Sequence, residues 1–200
     1  MNFTRDPAFW ILIGFNLWCI YYYEKNPDGF PTIVWLYWAQ SVLIGLFNFL
    51  DMLTLSNAIP GSMTFNDKPI DTRFRQKGCL AFFFLVHYGI FHLAYLVFIM
   101  AQLDEGNIDW LFVLLGVAVV ALELLISFIR RKSLQGTMHI DVGKMFFLPY
   151  LRVVPMHLMI LGPAFLHWEA STIFLVLKTI ADVLGYFLSM KIMRPPMTPV

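Results

Sequence analysis

The feature that most constrains this chain is a series of six apolar runs, each close to the length that crosses a lipid bilayer. A helix needs about twenty mainly apolar residues to cross roughly 30 Å of hydrocarbon. The 200-residue chain is 59% hydrophobic and 14% charged, whereas soluble domains are about 25% charged. Polar segments rich in Gly and Pro separate the runs, which cover approximately residues 7–24, 31–55, 79–102, 109–129, 145–166 and 170–192.

These runs predict a single all-α domain over residues 1–200, a polytopic transmembrane six-helix bundle in contact with lipid. The first run is not followed by the small-residue cleavage site of a signal peptide, so we expect it to remain as the first helix. The fifth run contains Pro149, Pro155 and Pro163. Prolines are tolerated in membrane helices, but they leave open a broken or re-entrant segment here.

Lysine and arginine residues outside the spans fall almost entirely on one side of the predicted helices. Cytoplasmic loops are enriched in both residues, so this pattern predicts a multi-pass protein of the cell inner membrane with both termini in the cytoplasm. The net charge of +1 gives no sign of a nucleic-acid surface. The predicted cytoplasmic side carries Arg5, Lys68, Arg73, Arg75, Lys77, Arg130, Arg131, Lys132, Lys144, Lys191 and Arg194, and the other side carries Lys25.

Several polar side chains lie inside the predicted spans. An ionisable group at the bilayer centre costs about 2.5–3.5 kcal/mol on insertion scales, so such groups turn toward partners inside the bundle. Helical rise places several of them roughly 12–18 Å from a helix end, which predicts one polar layer near the midplane. Lys178 and Asp182 are spaced for an ion pair within one helix. The full set is Asn16, Gln40, Asn48, His87, His92, Glu123, Arg152, His157, Lys178 and Asp182.

The third run has a polar stripe. Tyr88, His92 and Tyr95 share one helix face, and we expect Gly89 beside them to let another backbone approach closely. His87 points about 140° away from His92. The two imidazoles therefore face different neighbours or flank one site from its two sides.

Four segments resemble the pattern of an uncharacterised family of bacterial and archaeal multi-pass membrane proteins, named only as a domain of unknown function. They are "YWAQSVLIGLFN" at 37–48, "VHYGIFHLAYLVF" at 86–98, "PYLRVVPMHLMI" at 149–160 and "LKTIADVLGY" at 177–186. The resemblance covers most of the chain from about residue 31. It implies a recurrent intramembrane set of three histidines and one aspartate, matched here by His87, His92, His157 and Asp182. The family pattern often has glutamate where this chain has Gln40, and it brings no known reaction.

The leading hypothesis is an intramembrane metal site with His87, His92, His157 and Asp182 as ligands. Three imidazoles and a carboxylate form a ligand set suited to zinc, iron or copper. A metal-bound water would suit hydrolase-like chemistry. Neither HExxH nor HxxxH occurs, so whether the protein is an enzyme stays open. We expect the groups around the ligands to be Gln40, Tyr88, Arg152 and Lys178.

Three other functions fit the same residues. A transporter or proton relay would use Lys178, Asp182, Arg152 and the histidines as a titrating chain. A b-type haem or redox protein would use two histidines as axial ligands, with Arg152 near a propionate. The third is a non-catalytic subunit of a membrane complex, or a homo-oligomer. Its short loops offer little surface for soluble partners, and we expect its basic segments "TRFRQK" and "IRRK" to contact anionic lipid headgroups.

Overall fold

The structure of the chain is a computed structural model, and it describes residues 6–56, 64–65, 68–69, 74–102, 108–134, 139–151, 153–154, 172–191 and 193–194. The predicted all-α class with six helices is confirmed over these residues. A 3₁₀ turn, Pro27–Gly29, joins the first two helices. The helices are α1 Pro7–Lys25, α2 Phe30–Leu53, α3 Phe74–Gln102, α4 Trp110–Leu134, α5 Val142–Leu151 and α6 Thr172–Lys191.

Two short antiparallel pairings accompany the helices. β1 (Thr64–Phe65) pairs with β2 (Lys68–Pro69) between α2 and α3. β3 (His139–Ile140) pairs with β4 (Met193–Arg194), in the register His139 to Arg194 and Ile140 to Met193. The second pairing joins the segment before α5 to the segment after α6, so these two parts of the chain meet at one end of the bundle.

Aspartate side chains fix where three of the helices begin. Asp6 accepts a hydrogen bond from the backbone N–H of Ala8 at 3.1 Å, and Pro7 occupies the first helical position of α1. Asp109 accepts from the N–H of Phe112 at 2.9 Å, and Asp141 accepts from the N–H of Lys144 at 3.1 Å. Such caps satisfy backbone donors that have no partner within the helix.

The outer surface of the bundle is apolar. Large side chains such as Ile90 on α3, Leu111 on α4 and Ile173 on α6 are 62–69% exposed. Monomeric soluble proteins do not expose an apolar surface this extensive, so these faces contact lipid and the chain is a membrane protein. Four helical stretches are long and apolar enough to cross a membrane: Pro27–Leu53, Lys77–Ala101, Trp110–Leu134 and Thr172–Lys191.

The first and fifth predicted spans differ from these four. α1 covers the predicted span 7–24, but it ends in the polar sequence "YYYEK" and is not among these four stretches. The fifth prediction covered 145–166, whereas α5 begins earlier, at Val142, and is described to Leu151, with residues 153–154 also helical. Residues 155–171 lie outside the described residues, so the predicted break in this span is untested.

Contacts between helix ends fix the direction of each helix. At one end, Arg130 of α4 forms an ion pair with Asp6 before α1, and Arg131 forms one with Asp51 of α2 at 2.6 Å. At the opposite end, the Thr172 hydroxyl donates to Glu24 of α1. α4 therefore ends where α1 begins, and α6 starts at the other end. We call the first end the basic end, because it carries Lys77, Arg130, Arg131, Lys132, Lys144 and Lys191.

Two glycines let neighbouring helices approach α2 closely. A Cβ atom at Gly116 of α4 would lie 2.9 Å from Cδ2 of Leu36, and one at Gly45 of α2 would lie 2.7 Å from Cδ1 of Tyr88 on α3. The prediction that Gly89 makes the close approach is wrong for the described residues, since none of them lies within 4 Å of a Cβ placed there. The small residue belongs to α2, and α3 supplies the large ring.

We expect Gly45→Ala to destabilise the folded protein by about 1–3 kcal/mol, because the new methyl group meets the Tyr88 ring and a packed interface accommodates it only by strain. Gly89→Ala is the matched control on the facing helix, and we expect little change there. Thermal unfolding in detergent, followed by circular dichroism, measures both. Equal stability of the two variants would contradict the α2–α3 packing described here.

Candidate functional site

Two buried polar networks lie on different sides of α2. Gln40 and Ser41 are consecutive on this helix, so their side chains diverge by about 100°. Gln40 contacts residues of α6, and Ser41 contacts residues of α3. The Lys178 network consists of Asn16, Gln40, Lys178 and Asp182, and the His92 network consists of Ser41, Tyr88 and His92.

The Lys178 network is built around an ion pair within α6. Lys178 Nζ lies 2.5 Å from Asp182 Oδ2, one helical turn later, so the predicted pair forms. Lys178 also donates to the side-chain oxygens of Gln40 and of Asn16, the latter at 3.4 Å. The side-chain nitrogens of Asn16 and Gln40 donate to Asp182 Oδ2 at 3.2 and 3.3 Å. Each carboxamide therefore presents its oxygen to the ammonium and its nitrogen to the carboxylate.

The network is shielded from solvent on all sides. Asn16, Gln40, Lys178 and Asp182 are at most 4% exposed. The Lys178 ammonium lies 4.1 Å from the centroid of the Tyr37 ring and 5.4 Å from that of Phe15. The negative faces of these rings stabilise the cation beside its carboxylate. Lys178 and Asp182 are thus both charged groups whose water has been replaced by groups from α1, α2 and α6.

The His92 network joins α2 to α3. His92 Nδ1 lies 2.9 Å from the Tyr88 carbonyl oxygen, which can only accept, so Nδ1 carries the proton. In the neutral ring Nε2 then accepts from the Ser41 hydroxyl at 2.8 Å. The Tyr88 hydroxyl lies 2.9 Å from Ser41 Oγ and 3.0 Å from the Ser41 carbonyl oxygen.

In enzymes, a serine hydroxyl that is hydrogen-bonded to an oriented imidazole can be activated as a nucleophile. Here Ser41, Tyr88 and His92 are each 5% exposed, and they face one another across the α2–α3 interface. Trp38 adds a fourth contact, because its Nε1 donates to the His92 carbonyl oxygen at 3.0 Å. These contacts hold the two helices together.

The structure gives the predicted metal ligands different partners. His92 belongs to the His92 network and Asp182 to the Lys178 network. His87 is exposed on α3, where its Nδ1 lies 2.7 Å from the Tyr150 hydroxyl and its ring packs against Phe83 and Phe91. Gln40, Tyr88 and Lys178 were expected around one metal, but they divide between the two networks.

His157 and Arg152 lie outside the described residues. Within the described part of the chain, no three His, Cys, Asp or Glu side chains form a group that could hold a metal ion. A site for zinc, iron or copper that includes His157 therefore stays a prediction, and so does a haem site. The contacts of His87, His92 and Asp182 do not support either one.

A cavity of about 70 Å³ lies near the basic end, between α2, α4, α5 and α6. Its walls are apolar on one side, with Ile44, Leu124 and Leu148, and polar on the other. Glu123, which is 4% exposed, accepts from the Ser127 hydroxyl at 3.1 Å. The polar wall consists of Asn48, Asp51, Glu123, Ser127, Arg131 and Ser189.

A second, narrower void shares the lining residue Glu123 with this cavity and is also lined by Gln40 of the Lys178 network. Glu123 lines both spaces, and Gln40 lines the narrow one together with residues of α1 and α4. The narrow void has no room for a water molecule. Glu123 therefore borders both a space large enough for water and a narrow void that reaches Gln40 of the Lys178 network.

Sequence reasoning missed the acidic residues that organise the basic end. Asp6 and Asp51 are 8% and 4% exposed, and each binds arginine side chains at the end of α4. Tyr186 of α6 also donates to Asp6. One feature of the sequence could have indicated these ion pairs. Asp6 and Asp51 are single carboxylates at the ends of predicted helices, on the same side of the membrane as the basic segments.

Comparison with protein families gives one further finding. The model of a family described as a family of unknown function (DUF6498) matches residues 2–198 of the chain. Comparisons with curated proteins and with solved structures give no match. The expected likeness to an uncharacterised family is confirmed, and this family description transfers no reaction to the chain.

We expect His92→Phe to destabilise the protein by about 1–3 kcal/mol, because it leaves the buried Ser41 hydroxyl without its acceptor. His87→Phe is the matched control, and its effect should be smaller, since its aromatic neighbours accommodate another ring and its position is exposed. Thermal unfolding in detergent compares the two variants. A larger loss for His87→Phe would mean that the third helix is rotated relative to α2 from the arrangement described here.

Proposed function

The chain belongs to the family of unknown function DUF6498, and we propose that it is a multi-pass membrane protein whose buried Lys178–Asp182 pair takes up and releases protons. One observation carries this proposal: a lysine and an aspartate, each at most 4% exposed, form an ion pair halfway along a membrane-length helix. Asp182 lies about 15 Å from either end of α6, which corresponds to the midplane of a hydrocarbon core of about 30 Å.

A purely structural role explains this pair poorly. Removing two charges from water costs several kcal/mol per ion. Replacing a buried ion pair with well-packed apolar residues often leaves the stability of a protein unchanged or raises it. Ionisable residues at this depth mark ion pathways and proton relays in membrane proteins. The pair is therefore more easily explained by a function that needs its charges.

Proton exchange suits the contacts of the pair. Asp182 receives hydrogen bonds from Asn16, Gln40 and Lys178, and the two carboxamides remain in place if the carboxylate gains a proton. The described residues offer no group of metal ligands at this position. The cavity that Glu123 lines lies near the basic end, and protons from that side of the membrane would enter the bundle through it.

The proposal includes an orientation in the membrane. The lysine and arginine residues of the basic end favour the cytoplasmic side, which places both termini in the cytoplasm and the protein in the inner membrane. α4 ends at the basic end and α6 starts at the opposite end, as six spans with both termini on one side require. Lipid is the partner that the exposed apolar faces contact.

We expect the single variants Lys178→Met and Asp182→Leu each to lose about 3–5 kcal/mol of stability, because each leaves one buried charge unpaired. The double variant Lys178→Met, Asp182→Leu should recover most of that loss. Thermal unfolding in detergent reports stability, and infrared difference spectra between acidic and alkaline buffer report protonation of the carboxyl group. The double variant should lose the Asp182 band.

Proton flux tests the functional consequence of the same pair. Vesicles containing the wild-type protein and a trapped pH-sensitive dye should conduct protons faster than empty vesicles under a potassium diffusion potential. The double variant should match empty vesicles. Replacing the exposed Lys144, a lysine outside the Lys178 network, with methionine provides the control and should leave the flux unchanged. A wild-type protein with neither flux nor an Asp182 band that changes with pH would overturn the proposal.

The orientation is tested by reporter fusions at the C-terminus. Green fluorescent protein fused after Val200 should fluoresce in a bacterial host, and alkaline phosphatase fused at the same position should be inactive, because the two reporters work on opposite sides of the inner membrane. The reverse pattern would contradict the proposed orientation, while leaving the bundle itself unchanged.

A further inference from the structure

We propose that Glu123 is the residue through which the Lys178–Asp182 pair exchanges protons with the basic end of the bundle. This inference rests on the proposed function and adds a pathway to it. Glu123 is 4% exposed, and it lines both the cavity of about 70 Å³ and the narrow void that contains Gln40. Gln40 in turn contacts both Lys178 and Asp182.

The cavity is suited to water. Its volume of about 70 Å³ is well above the roughly 10–15 Å³ that one water molecule needs. Asn48, Ser127, Arg131 and Ser189 supply polar atoms along the wall. The Asn48 Nδ2 atom is buried, and it has no hydrogen-bond partner among the described residues. A water in the cavity would satisfy this donor and would stand next to the Glu123 carboxylate.

Proton transfer along this route keeps the charges balanced. Glu123 first takes a proton from a cavity water and becomes neutral, and the hydroxide left behind is neutralised by a proton from the aqueous phase. Glu123 then gives its proton to Asp182 and becomes a carboxylate again, while Lys178 keeps its ammonium. Glu123, Lys178 and Asp182 together carry no net charge before or after the second step.

Gln40 controls the second step. The void between Glu123 and the Lys178 network has no room for a water molecule. A proton can therefore cross only when the Gln40 side chain moves or when the void widens to admit water. The two steps should therefore differ in rate. We expect protonation of Glu123 from the cavity to be fast and proton transfer from Glu123 to Asp182 to be slow.

Besides Glu123 itself, the charged and titratable side chains that line these two spaces lie on α2, α4 and α6. Asp51 of α2 and Arg131 of α4 line the cavity, and they pair with each other at 2.6 Å. Tyr186 of α6 lines the cavity too, and its hydroxyl contacts Arg130 and Asp6. From α1 the narrow void receives only the apolar side chains Ile11, Leu12 and Phe15.

The test measures how fast the Asp182 carboxyl responds to a pH jump in time-resolved infrared spectra of the reconstituted protein. We expect Glu123→Gln to slow this response by at least about tenfold, a conservative figure for loss of a positioned proton-transfer group. The final extent of Asp182 protonation should be unchanged, because Asp182 itself is intact. Glu123→Asp should restore part of the rate. The matched control is Glu24→Gln, the same substitution at the opposite end, and it should have no effect.

The outcomes separate this inference from the proposed function. If Asp182 of the wild-type protein does not titrate, the proposed function fails. If Asp182 titrates at the same rate in wild type and in Glu123→Gln, the proposed function stands and the pathway through Glu123 is wrong.

A second measurement applies even if Glu123→Gln does not fold. Ser189→Cys, in a background with the exposed Cys79 replaced by serine, places a thiol in the cavity wall. It should react with a membrane-impermeant thiol reagent added at the basic end. Failure to react in the folded protein would mean that water does not reach the cavity, and the pathway would be excluded.

Discussion

The arrangement of the bundle depends on the removal of water from two opposite charges. Lys178 and Asp182 cannot be hydrated where they lie, so the surrounding helices must supply what water would have supplied. Asn16 of α1 and Gln40 of α2 do this with carboxamides, which donate and accept at the same time. Three helices must therefore meet at one depth and in one rotation. α3 and α4 then pack against α2, and α5 packs against α3.

α2 separates the Lys178 network from the His92 network, although adjacent residues of its sequence contribute to the two networks. The residues Gln40 and Ser41 are neighbours in the chain, yet one completes the solvation of an ion pair and the other is held in a neutral histidine network. The faces of α2 thus keep the His92 imidazole away from the charges of α6. A change at His92 is expected to affect packing of α3, whereas a change at Asp182 alters the electrostatics of the core.

Much of the fold follows from the sequence, because span length, end charges and the i, i+4 spacing of Lys178 and Asp182 are all local properties. The division of the candidate site does not follow. Periodicity gives the depth of His87, His92 and Asp182, and it gives angles within one helix, but it does not give the rotation of one helix relative to another. For the same reason Gly89 looked like the close contact, although Gly45 is the glycine that meets Tyr88. The pairing of Asp6 and Asp51 with α4 joins residues far apart in the chain, which no local pattern reveals.

The placement of both ions on α6 has a consequence for biogenesis. A membrane helix that carried a single lysine would enter the bilayer with an uncompensated charge and would need a partner already waiting there. α6 carries the counter-ion of Lys178 one turn away, so Lys178 can enter the bilayer already paired with Asp182. The amides of α1 and α2 are synthesised earlier and are the last to find their ligands. α6 is synthesised after α1 and α2 and therefore completes their assembly.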